Sequence, residues 1–117
     1  MSPLATAIYK QLRRTLTSKN SITYGELAEA VSKTHETHHR SPKFHAALTE
    51  VALACREHEL PCLPAIVWRS NTNRPSDGYY NVAHPRAHTD EARISAWERE
   101  HARVVAHAAR FPAKLGD

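Results

Sequence analysis

Residues 32 to 41, SKTHETHHRS, contain no apolar side chain, so this stretch cannot enter a hydrophobic core and must run as an exposed loop. It separates two apolar blocks. Directly after it, Ser41-Pro42 joins a helix-capping side chain to a proline, whose missing N–H costs nothing in the first turn of a helix. Phe44, Leu48, Val51 and Cys55 follow at i, i+4, i+7 and i+11, one helical stripe, which predicts a helix over about Pro42 to His58. Pro61 and Pro64 stop any continuation.

The chain opens on the same signature. Ser2-Pro3 precedes Leu4, Ile8, Leu12 and Leu16 at intervals of four, predicting a first helix over about Pro3 to Ser18. Asn20 and Ser21 end it, and Ile22 is a short extended anchor. Thr23-Tyr24-Gly25-Glu26 fits a capping box, which starts a short second helix, about Tyr24 to Val31, burying Leu27, Ala28 and Val31.

Beyond the third helix, Ala65-Ile66-Val67-Trp68 and Tyr79-Tyr80-Asn81-Val82 are both β-rich, and ten residues dominated by turn formers lie between them. They predict a β-hairpin with a long polar tip. Thr89 then caps a last helix, about Asp90 to Ala109, with Ile94, Trp97, His101, Val104 and Ala108 along one side. That helix is long enough to pack on the rest or to pair two chains. Residues 1–88 thus form the main domain, 89–111 the C-terminal helix and 112–117 a loose tail. Three helices, a two-stranded β-ribbon wing and a long C-terminal helix, in that order, define an α+β chain of winged helix-turn-helix type.

At 117 residues the chain is one domain by length. No apolar run approaches the roughly 18 residues that cross a bilayer, so no membrane association is expected. The first residues place basic side chains after spaced apolar ones, the reverse of a secretory signal, which points to a cytoplasmic protein. Cys55 and Cys62 form neither a CxxC pair nor a disulfide framework and read as buried thiols. The net charge is +4 with histidines neutral, and the isoelectric point is about 9.3. Both favour an anionic partner. His35, His38, His39, His45 and His58 crowd one segment beside Lys33, Arg40 and Lys43, and acidification would add positive charge there.

The segment ITYGELAEAV, a helix, and then LPCLPAIVWRSNTNRPSDGYY resemble the winged-helix DNA-binding domain of the O6-alkylguanine DNA alkyltransferases and alkyltransferase-like proteins. The resemblance spans about residues 22–80. It implies a helix-turn-helix fold and nucleic-acid binding. It does not extend to the reaction: in that family the reactive cysteine is followed by a histidine that helps ionise it, whereas here Cys62 is followed by Leu63, Pro64 and Ala65.

The candidate nucleic-acid-binding residues form two groups. Arg40, Ser41, Lys43 and His45 combine side-chain donors with the free amides of a helix N-terminus, a natural phosphate seat. Arg69, Asn71, Asn73 and Arg74 alternate with small polar residues at the hairpin tip, as a wing presents donors to phosphates or the minor groove. An ordinary solvated turn would look similar. His35, His38, His39 and His45 could in principle hold zinc, but no cysteine or apolar wall accompanies them, so no metal and no cofactor are expected. His101 reads as a satisfied core histidine, and Trp68, Tyr79, Tyr80 and Trp97 as core. The expected function is non-enzymatic binding of duplex DNA, with no catalytic residue. The alternatives are a small inhibitor or adaptor that grips a protein partner with the same scaffold, and a histidine-dependent nuclease.

Overall fold

The structure, a computed structural model, describes residues 1–115. Helices α1 (Pro3–Thr15), α2 (Tyr24–Ser32), α3 (Pro42–Glu57), α4 (Asp77–Ala83) and α5 (Asp90–Ala106) enclose a two-stranded sheet of β1 (Ile22–Thr23) and β2 (Val67–Trp68). Short 3-10 turns cover Leu63–Ile66 and Ala108–Arg110. The class is α+β and mostly helical.

The four long-helix starts expected from capping residues carry those caps. Ser2 Oγ accepts from the Ala5 N–H at 3.2 Å, Ser41 Oγ from Lys43 at 3.2 Å, and Thr89 Oγ1 from Ala92 at 3.1 Å. Thr23 Oγ1 accepts from the Glu26 N–H at 3.1 Å while Glu26 Oε1 accepts from the Thr23 N–H at 3.0 Å, a complete capping box. Those bonds also hold the Glu26 carboxyl below its ordinary range.

The predicted stripes are the core. Ile8 and Leu12 of α1 and Phe44, Val51 and Cys55 of α3 are fully buried where the two helices pack together. Each large apolar side chain removed from water there contributes about 1.5–3 kcal/mol. The turn at Leu63–Ile66 is buried beneath α5, whose Trp97 and Val104 close over it. The Ala65 carbonyl accepts from both indoles, Trp97 at 2.9 Å and Trp68 at 3.1 Å. His101 lies at the edge of this cluster, its ring 5.4 Å from Trp68, and its Nε2–H donates to the Asn20 carbonyl at 2.8 Å. The C-terminal helix therefore packs on its own chain.

Three expectations need correction. The β-ribbon is absent: β1 pairs with β2 in parallel, Ile22 opposite Val67 and Thr23 opposite Trp68, and Tyr79–Val82 belongs to α4. The reason is burial. A strand would send Tyr79 and Tyr80 to opposite faces, whereas one helical turn buries both, at 8% and 6% exposure. Second, α1 ends at Thr15 rather than Ser18, because Thr17 Oγ1 donates to the Arg14 carbonyl and tightens the chain into a turn. Third, α5 ends at Ala106 rather than Ala109, and the chain turns to bury Phe111. That turn also anchors the start of the expected tail: Tyr9 donates to the Pro112 carbonyl at 2.6 Å. Residues 116 and 117 of that tail lie outside the described residues. Among the described residues no helix is long and apolar enough to cross a membrane.

Candidate nucleic-acid interface

The parallel pairing decides which side chains meet. Because Thr23 lies opposite Trp68, the first residue of α2, Tyr24, stands beside the loop that leaves β2 at Arg69. That loop is closed on itself. The Arg69 N–H donates to the Arg74 carbonyl at 2.8 Å, and the Arg69 carbonyl accepts from the Asn73 N–H at 2.8 Å. Asn73 has φ 56°, the left-handed region that asparagine tolerates better than most side chains. Arg69 to Arg74 are all exposed, so the polar tip exists although the ribbon does not.

Tyr24 clamps the far end of the loop. Its hydroxyl accepts from the Ser76 N–H at 2.9 Å and shares a second hydrogen bond with Ser76 Oγ at 3.0 Å. Burial pushes the Tyr24 hydroxyl up from its ordinary value, against the opposing pull of the Ser76 bonds and of Arg69, so it stays neutral.

The loop before α3 folds against the other flank of Tyr24. Ser32 Oγ donates to the Thr37 carbonyl at 2.7 Å, bending the chain back. His45 donates from Nε2 to the His39 carbonyl at 2.7 Å, which fixes its tautomer, since a carbonyl only accepts. The Tyr24 and His45 rings are 5.9 Å apart, and those of His38 and His39 stack at 4.4 Å. Desolvation, then the charges of His38, Arg40 and His45, hold His39 below the usual histidine range. A cleft of about 60 Å³ lies between the two flanks, with Tyr24, His45, Ser76 and Tyr79 among its walls.

The two predicted groups are thus brought together unequally. His45 meets the Arg69–Ser76 segment across Tyr24. Ser41 is the cap of α3, and Arg40 is exposed beside it. Lys43 is about 200° from His45 around the helix, at roughly 100° per residue, and so lies on the opposite shoulder of α3. It shares that shoulder with Glu50, whose Oε2 accepts from the Ser2 N–H at 2.8 Å. Asn71 and Asn73 are at the exposed tip, Asn73 serving the turn itself.

Among the described residues the ion pairs are Arg93–Asp77 and Arg103–Glu100, and Arg40, Lys43, Arg69 and Arg74 take part in neither. No group of three histidine, cysteine or acidic side chains among the described residues is placed to hold a metal, His38, His39 and His45 included.

Cys62 is poorly placed for nucleophilic work. Its backbone N–H donates to Glu100 Oε2 at 2.7 Å, and burial, then Cys55 and Glu100, push its thiol well above the ordinary value. Cys55 is pushed up to about 11 for the same leading reason. Arg56 beside Cys62 and the Leu63 backbone beside Cys55 pull the other way without offsetting that burial.

Sequence reasoning missed Tyr24 and Ser76 as the clamp, because both read as local helix and turn chemistry. It also missed Arg93, which reaches the loop only through the packing of α5. No protein-family model, no curated protein and no solved structure matches the chain.

Proposed function

We propose that this chain binds duplex nucleic acid, DNA in the first instance, and does not react with it. In this reading α2 and α3 serve as the helix-turn-helix pair and the Arg69–Arg74 loop takes the place of a wing. Phosphate contacts from Arg40, Ser41, Arg69 and Arg74, with His45 between the groups, supply most of the affinity. One observation carries the reading: Tyr24 holds the cationic loop by two hydrogen bonds at Ser76 and has the His45 ring 5.9 Å from its own, so the loop and the histidine-bearing start of α3 meet at one residue.

The test is a titration of labelled duplex DNA at several salt concentrations. Log affinity should fall linearly with log salt. An absence of binding at low ionic strength removes the reading.

A second reading, an adaptor or inhibitor that grips a protein partner, is favoured by Leu53, which is 41% exposed on the outer face of α3 where a phosphate-binding helix needs no apolar side chain. Stoichiometric recovery of one protein without nucleic acid, lost on Leu53→Asp, would select it.

A further inference from the structure

A pocket of about 290 Å³ lies between the Arg69–Arg74 loop, α4 and the start of α5, with Arg69, Arg74, Arg93, Tyr80, Asp77 and Asp90 on its walls. The buried Tyr80 ring forms one wall. Arg93 lies over it, 5.4 Å from the ring centroid, and Arg74 is close enough for its charge to act on the Tyr80 hydroxyl. Arg93 is fixed by its surroundings: Nη1 is 3.3 Å from Asp77 Oδ1 and Nη2 donates to Asn81 Oδ1 at 3.1 Å. Its Nε is buried without a hydrogen-bond partner. With Asp77 and Asp90 set against the three arginines, the pocket keeps one net positive charge that an incoming anion would offset.

We propose that this pocket is a phosphate seat that takes one phosphodiester of a nucleic-acid backbone, with Arg69, Arg74 and Arg93 as its donors. The inference rests on the nucleic-acid reading above and extends it from the exposed loop to α5. The charge of the pocket selects the diester. Three arginines against two aspartates leave one positive charge, which matches the single negative charge of a diester. A terminal phosphate monoester, at about −1.5 to −2 near neutral pH, would meet Asp77 and Asp90 with an excess of charge. Arginine suits the task because its planar fork can offer two parallel N–H groups to one phosphate.

Fluorescence anisotropy with a short labelled duplex, over a range of salt, tests the seat. Arg93→Ala should weaken binding by about tenfold and lower the log–log salt slope by about one. Arg93→Lys should keep the slope and recover only part of the affinity, since it restores the charge without the fork. Arg93 also covers Tyr80, so Asp77→Asn serves as a variant that leaves that packing in place. It removes a negative charge from the wall and should tighten binding severalfold. Wild-type affinity and slope in Arg93→Ala, alongside weakened binding by Arg69→Ala, would overturn the seat and leave the duplex reading standing. An Asp77→Asn protein with unchanged affinity would count against the seat in the same way. A wild-type protein that binds no duplex would remove both.

Discussion

The α3 wall of the cleft and the Arg69–Ser76 segment that faces it are held in place by different forces. Phe44, Val51 and Cys55 anchor α3 by complete burial against α1. The facing segment carries six exposed residues in a row and is held at its ends, by the Arg69–Arg74 backbone bond and by the Tyr24 hydroxyl on Ser76. One wall stores stability. The other displays charge at little cost to stability.

The sharpest break of this comparison is Phe44→Ala, which should cost about 3–5 kcal/mol in denaturant unfolding, while Arg74→Ala should stay within about 0.5 kcal/mol. Comparable losses would mean that the loop is structural.

Tyr24→Phe comes next. It keeps the ring beside His45 and removes the acceptor of the Ser76 N–H, so a loss of about 1–3 kcal/mol is expected. Hydrogen exchange should show faster exchange at Ser76 with the α3 amides unchanged. Uniform loss of protection would show that the two walls are not separable. Thr23→Ala, which removes only the capping box of α2, should cost about 1 kcal/mol and leave the Ser76 amide protected.

The smallest effect is a pH dependence. His39 has a folded-state value below the ordinary 6.5, so between the two values the unfolded chain binds more protons. Stability of the free protein should therefore decline slightly as pH falls below about 6.5. Bound phosphate would favour protonated His39, so duplex affinity should rise over the same interval. His39→Gln should flatten the affinity trend, and a trend unchanged by it would exclude His39 from the interface.

The same contrast explains what the sequence made legible. Helices α1, α2, α3 and α5 were readable because capping residues and apolar stripes are local signals that agree with the tertiary fold: Ser2, Thr23, Ser41 and Thr89 all cap. The Tyr79–Val82 run was not, because β-rich composition reflects a need for burial that a helix against α3 satisfies equally well. The parallel β1–β2 pairing joins residues more than forty positions apart, and no local pattern announces it. For the site, Arg69, Arg74 and His45 were visible as exposed polar chemistry. Lys43 was grouped with His45 by nearness in sequence, although two residues on a helix point to nearly opposite sides. Tyr24, Ser76 and Arg93 owe their roles entirely to tertiary placement.

The central claim is that the loop and the start of α3 form one phosphate-binding face. Its most direct test is duplex affinity against salt for the wild type and for the double charge reversal Arg69→Glu with Arg74→Glu. The account predicts salt-sensitive binding by the wild type and, in a variant that unfolds at the wild-type denaturant midpoint, a loss of at least tenfold with a shallower salt slope. Equal affinity and equal slope for the two proteins would contradict it.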